Sequence, residues 1–220
     1  MGTLRVLEIF DSLQGEGYWT GTPMTFVRLA GCNGPELALG CVAWCDTPES
    51  WDPAGGETLE TSEVVRRARL PRLCLTGGEP LVQLDSVGEL VAEAHGRGVR
   101  VHLETNGTLA PSRDGQGRFD WVVVSPKPPE YRIAPGWLGL IDELKVVVDE
   151  DLEAATVERL AAANPEAVVF LQPVSDRDST NAEREDTSRY RESCNRALAL
   201  VMGHPEWRLS LQVHTLLGIR

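Results

Sequence analysis

The stretch RLCLTGGEPLVQLDSVGELVAEAHGRGVRVHLE, residues 72–104, contains a complete strand–helix–strand unit. RLCLT (72–76) is a short apolar run, SVGELVAEAHGRG (86–98) repeats its apolar residues at helical spacing, and VRVHLE (99–104) returns to a strand pattern. Ser86 suits a helix start and Gly98 a helix end. Two strands joined by a helix predict a parallel pair, because parallel neighbours need a long return connection.

The alternation extends both ways. LRVLEIF (4–10), TFVRLAG (25–31), WVVVS (121–125), ELKVVV (143–148), AVVFLQPV (167–174) and RLSLQV (208–213) read as strands. TSEVVRRARL (61–70), DLEAATVERLAAANP (151–165) and TSRYRESCNRALALVMG (187–203) read as helices, with Thr61 and Thr187 as N-caps and Gly203 at a C-terminal end. The pattern predicts an α/β fold whose mostly parallel sheet is covered by helices. Segments 105–120 and 126–140 are rich in Gly, Pro and polar residues where a regular repeat would place helices. The expectation is therefore an incomplete, modified (β/α) barrel, in one domain spanning 1–220. PEL (35–37), DPAGG (52–56), SPKPPE (125–130) and APGWLG (134–139) fall at strand ends and read as surface or active-site loops.

The chain has 220 residues, long enough for a full core, and 21 Lys and Arg against 33 Asp and Glu give a net charge of -12. That balance argues against a nucleic-acid binder that works by neutralising phosphates. Apolar residues make up 42%, with no apolar run long enough to cross a bilayer and no charged-then-apolar leader, so the expectation is a soluble, cytoplasmic protein with no membrane partner.

Three of the five cysteines, Cys32, Cys41 and Cys45, crowd into GCNGPELALGCVAWCDT (31–47). An odd count and this crowding fit a reducing compartment and a metal site better than a disulfide framework. The loop follows a strand, and strand ends in such folds hold ligands. Structural zinc wants four ligands, and a fourth is not obvious: Cys74 lies in a strand and Cys194 in a helix, as core or incidental thiols. A four-iron cluster on three cysteines would leave one iron open to a small molecule. From the cysteines alone both readings stand. TGGEP (76–80) adds paired glycines that let backbone approach a ligand closely, followed by an acid that accepts from an amine or hydroxyl.

EIFDSLQGEG (8–17), RLAGCN (28–33), WCDT (44–47), LTGGEP (75–80), LETNGT (103–108), VSPKP (124–128), LQPVS (171–175) and QVHTLLGIR (212–220) together resemble the 7-carboxy-7-deazaguanine synthases of the radical S-adenosylmethionine superfamily. The resemblance runs in order along essentially the whole chain. It implies the superfamily's partial barrel, a homodimer, and a carbon–nitrogen lyase that converts 6-carboxy-5,6,7,8-tetrahydropterin to 7-carboxy-7-deazaguanine with loss of ammonia, on the route to queuosine and related deazapurines. It also implies a 4Fe-4S cluster, S-adenosylmethionine, Mg2+ and an electron donor such as a flavodoxin. One departure stands out. The last cysteine gap in the superfamily is normally two residues, and here it is three, with Val42 where a two-residue gap would need cysteine. The added residue contributes up to about 3.8 Å of chain, which a bulged turn absorbs.

By resemblance, Cys32, Cys41 and Cys45 hold the cluster and Thr47 offers a hard oxygen to magnesium. Gly77, Gly78 and Glu79 line the cofactor's methionine amine, and Lys127, in the loop Ser125, Pro126, Lys127, pairs with its carboxylate. Gln172, Pro173, Val174 and Ser175 face the adenosine, and Glu104 bonds the ribose or organises a loop. Leu13, Gln14, Gly15 and Glu16 meet the pterin's amide-like edge, Arg28 takes its carboxylate in a fork, and Thr76 and Arg220 complete the substrate contacts. His214 receives no role, and no side chain is assigned proton transfer. A glycyl-radical-activating enzyme would share the cluster and cofactor, but QGEG and the compact ending argue against it. A zinc-pinned binding module would leave TGGEP and SPKP as coincidences.

Overall fold

The computed structural model describes residues 2–111, 118–174 and 188–219. Their strands form one nine-stranded sheet in the order β3-β1-β2-β4-β5-β6-β7-β8-β9. β1 (Thr3–Leu13) runs antiparallel to β2 (Pro23–Leu29) and to the edge strand β3 (Glu57–Glu60). From β2 onward every pairing is parallel, through β4 (Arg72–Gly77), β5 (Arg100–Thr105), β6 (Trp121–Val124), β7 (Glu143–Val148), β8 (Val168–Pro173) and β9 (Arg208–Leu209). β3 and β9 do not pair, so the sheet stays open, as the helix-poor segments 105–120 and 126–140 predict.

Four helices cover the sheet: α1 (Thr61–Arg67), α2 (Leu84–Gly96), α3 (Ala154–Ala163) and α4 (Ser188–Gly203). Alternation along each strand sorts side chains between two faces. Leu73 and Leu75, Val101 and Leu103, Val122 and Val124, Leu144, Val146 and Val148, and Val169 and Leu171 join Val64, Leu90, Val157 and Ala197 of the helices in one apolar core. The intervening residues, among them His102, Glu104, Lys145 and Gln172, point to the other face, where an all-apolar strand has no need of them.

Several boundaries differ from expectation. Thr61 is the first helical residue rather than a cap. Ser86 lies inside α2, because a 3-10 turn at Pro80–Gln83, started by Glu79 accepting from the Leu81 N–H, runs straight into the helix. Thr187 is outside the described residues. The last strand stops at Leu209, and Val213–Leu217 form a short helix, α5, whose first amide donates to the Gly15 carbonyl. β3 (ETLE) carries little strand signal of its own and forms by pairing with β1.

The loop between β1 and β2 folds across the N-terminal end of the parallel strands. Trp19 packs edge-on against His102 and Trp121, the Arg72 guanidinium lies 4.7 Å from its ring centroid, and Tyr18 stacks on Trp121. Beneath it, the buried Glu143 accepts from the Tyr18 N–H at 3.0 Å and from the Trp121 indole. Gly17 has φ +64, and a Cβ there would run into the Glu143 carboxyl. Burial, helped by Glu104 and opposed by Lys145, raises the Glu143 pKa to about 7. An acid whose folded pKa exceeds its unfolded value binds more protons folded than unfolded, so its stabilising contribution is full below about pH 4.5 and is lost as pH rises through 7. Glu143→Gln should therefore flatten the pH dependence of stability between pH 5 and 8, by on the order of 2 kcal/mol, measured by urea denaturation across that range.

Candidate functional site

A cavity opens at the C-terminal ends of the parallel strands, where ligands bind in such sheets. Four loops meet there, following β2, β4, β5 and β6, with the end of β8 and α5 closing one side.

The loop after β2 carries the cysteines. No disulfide joins them. Gly34 sits against both Cys32 and Cys41, since a Cβ on it would lie 3.3 Å and 3.9 Å from their sulfurs, and its N–H donates to Cys32 Sγ. The longer gap before Cys45 is taken up by a 3-10 turn at Gly40–Ala43, in which the Trp44 N–H returns to the Cys41 carbonyl; a helical turn, not the expected bulge, absorbs the added residue. The loop is tied down at three places. Asn33, buried, donates to Thr108 and accepts from Asn106, the Gly40 N–H donates to the Pro128 carbonyl, and the Gly31 N–H donates to the Ser50 carbonyl.

The turn after β4 lies directly behind Cys32. The Gly78 N–H donates to the Leu29 carbonyl and the Glu79 N–H to that of Gly31. Any Cβ on Gly78 would strike the Gly31 carbonyl and come within 2.7 Å of Cys32 Cβ, so only glycine fits. Gly77 and Gly78 line the cavity; Glu79 does not. Its side chain is fully buried, accepting from Leu81 N–H (3.1 Å), Thr105 Oγ1–H (2.8 Å) and Asn106 N–H (2.7 Å). Burial raises its pKa against the pull of those three donors. Glu79 is thus a brace between loops, where sequence pattern suggested a ligand contact.

After β6, Ser125 and Lys127 line the cavity and Pro126 is buried behind it. Lys127 donates to Ser125 Oγ at 2.7 Å and lies 5.6 Å from the Trp44 ring centroid, and burial lowers its pKa. At the end of β8, Gln172 and Pro173 reach the wall, Val174 just beyond is buried and bonded to Ser193, and Ser175 lies outside the described residues. Leu13, Gln14, Gly15, Glu16, Arg28, Thr76 and Thr47 all line the cavity; Arg220 is outside the described residues. Thr47 Oγ1 is 3.5 Å from Asp46 and 3.8 Å from Cys45 Sγ. Arg28 is paired with Glu8 at 2.8 Å.

The floor holds residues that sequence reasoning did not assign. Lys145 donates to Glu16 at 2.6 Å and to Glu104 at 2.8 Å, Gln14 donates to Glu104, and Gln212 donates to Glu16. Burial would raise the Glu16 pKa, but the Lys145 charge and the two hydrogen bonds overcome it and hold it at about 2. For Glu104 burial prevails over Lys145 and the pKa is raised. His214 packs so closely on Gly15 that a Cβ there would overlap its ring. Lys145 had a visible signal, a lysine inside the otherwise apolar run LKVVV (144–148); His214 and Gln212 depend on where α5 docks.

The three thiols suit an iron–sulfur cluster by their chemistry. Burial pushes the Cys32 thiol up to about 11 and also raises Cys41, so both are protonated until a metal displaces the proton. Among the described residues no three His, Cys, Asp or Glu side chains gather tightly enough for a single ion. Cys74, buried in β4, and Cys194, on α4, are elsewhere, so a four-iron cluster held by the other three would keep one iron without a cysteine.

No family model matches the chain. Relatives named 7-carboxy-7-deazaguanine synthase do: one from Synechocystis sp. is 34% identical over 98% of this chain and 93% of its own length, and one from Bacteroides thetaiotaomicron is 38% identical over 98% of both. A third, from Caulobacter vibrioides, is 35% identical over 99% of both. Among solved structures, the crystal structure of QueE from Escherichia coli superposes with a TM-score of 0.72 at 26% identity, covering 96% of this chain and 95% of that one. End-to-end identity at this level, on a partial barrel whose rim carries the three thiols and the double-glycine turn, assigns the chain to the family of the 7-carboxy-7-deazaguanine synthases.

Proposed function

We infer that this chain is a radical S-adenosylmethionine enzyme that converts 6-carboxy-5,6,7,8-tetrahydropterin to 7-carboxy-7-deazaguanine with loss of ammonia. The observation that carries the reading is convergence: the cysteine loop, the glycine turn, the SPK loop and the QGEG loop meet on one cavity in a chain that matches the synthases end to end. Cys32, Cys41 and Cys45 would hold the 4Fe-4S cluster, which when bound supplies the electron that splits S-adenosylmethionine.

The remaining work belongs to the protein's own groups, which bind, orient and exclude water. The Gly77–Gly78 backbone receives the methionine amine, Lys127 offers its charge to the carboxylate, and Gln172 and Pro173 face the adenosine. Arg28, already oriented by Glu8, meets the pterin carboxylate, and Gln14 and Glu16 meet its amide-like edge. Thr47, beside Asp46, gives a divalent magnesium ion a hard oxygen. A flavodoxin-type electron donor, a homodimer, a single domain over 1–220 and a cytoplasmic setting complete the reading. No helix among the described residues is long and apolar enough to cross a membrane. The charge of -12 opposes binding to nucleic-acid phosphates.

The test is turnover. Anaerobic protein reconstituted with iron and sulfide, then given dithionite, S-adenosylmethionine, magnesium and the carboxytetrahydropterin, should release the deazaguanine and ammonia without net loss of S-adenosylmethionine. An intact cluster that binds S-adenosylmethionine yet yields no deazaguanine would count against this substrate.

A further inference from the structure

The cavity floor carries a row of three charged side chains, Glu16, Lys145 and Glu104, drawn from the β1–β2 loop, β7 and β5. Lys145 is its centre. Its ammonium is almost fully buried, 8% exposed, yet borders the cavity and holds one carboxylate on each side, at 2.6 Å and 2.8 Å. Among the described residues two of its three N–H bonds are used in this way, which leaves the third for a ligand. Each carboxylate is steadied from its far side by an amide, Gln212 on Glu16 and Gln14 on Glu104, and each of their oxygens keeps a second lone pair. Reading across, the floor offers acceptor, donor, acceptor.

A tetrahydropterin has the matching edge: the paired N–H groups of the 2-amino group and N3, then the 4-oxo acceptor, then the N5–H donor. We propose that Lys145 determines substrate specificity, donating to the 4-oxo group while holding Glu16 and Glu104 in place as acceptors for the donors on either side. The assignment rests on the function inferred above and gives Glu104 a substrate contact in place of a ribose one. Without the cation, two buried carboxylates would face one another and share a proton, so the row would lose an acceptor as well as its donor.

The test uses the reconstituted holoenzyme with S-adenosylmethionine and magnesium but no reductant, so that binding is read without turnover. Two probes are compared: the carboxytetrahydropterin, and its lumazine counterpart, in which an oxo group replaces the 2-amino group. The unaltered enzyme should prefer the pterin by about tenfold to a hundredfold, as expected for charge-assisted hydrogen bonds. Lys145→Met should reduce that preference to near unity and, under reducing conditions, raise KM far more than it lowers kcat. Lys145→Arg, which restores the charge, should recover part of the preference. If Lys145→Met does not fold, Glu104→Gln measured the same way decides: the preference should fall. An enzyme that makes the deazaguanine but binds both probes equally, or a folded Lys145→Met that keeps its preference, overturns the proposal and leaves the inferred function standing. Failure of turnover with intact pterin preference would instead strike the inferred reaction.

Discussion

Alanine in place of any one of Cys32, Cys41 or Cys45 is expected to abolish turnover and to leave protein that cannot retain four irons after anaerobic reconstitution. The three thiols have no substitute. Cys74 is buried in β4 and Cys194 is on α4, so neither can step in without unfolding an element. On the function inferred above, loss of the cluster would remove the group that delivers the electron, so the effect should be all or none. Cys41 is the decisive position, because its spacing from Cys45 departs from the usual two residues. Iron and sulfide assays beside the deazaguanine assay check the result. A Cys41→Ala protein with full iron and full activity would show that some other group is the third ligand.

Glu79→Ala should produce the largest loss of stability of any single change at the site. The substitution leaves the Leu81 and Asn106 amides and the Thr105 hydroxyl without an acceptor in a place that water does not reach. Each stranded buried donor costs about 1 to 3 kcal/mol, so the sum is on the order of 3 kcal/mol or more. The damage would spread to the cysteines, because Asn106 in turn holds Asn33, the neighbour of Cys32. Equilibrium denaturation should record the loss, and reconstituted iron should fall with it. Glu79→Gln keeps one oxygen as acceptor but sets an amide N–H against a donor, so it should fall between the two. If Glu79→Ala kept its stability and instead lost only affinity for S-adenosylmethionine, the brace described here would be wrong and a ligand contact right.

The parallel strands were legible because each is a short apolar run whose neighbours supply the core, so local pattern and tertiary demand agree. The same holds for α2 and α4, whose apolar faces repeat at helical spacing. What escaped was structure decided by distant partners. β3 exists only against β1, and α5 forms where Val213 meets Gly15, nearly two hundred residues earlier. The site divides in the same way. Backbone turns such as Gly77–Gly78 declare themselves, because only glycine permits that close approach. Glu79 in the same motif reads as a ligand until Thr105 and Asn106 are seen beside it. Lys145 was written in plain view, yet a strand reading of ELKVVV passes over one lysine whose purpose lies across the barrel.

The anchoring of the cysteine loop has a wider meaning. Held at Gly31, Asn33 and Gly40 and closed at Ser50, the loop takes up an added residue between Gly40 and Ser50 without transmitting any change of register to the sheet. A chain built this way tolerates change in the number of residues separating Cys41 from Cys45. Search patterns written as fixed intervals will pass over such chains, whereas patterns written on the anchor points would recover them.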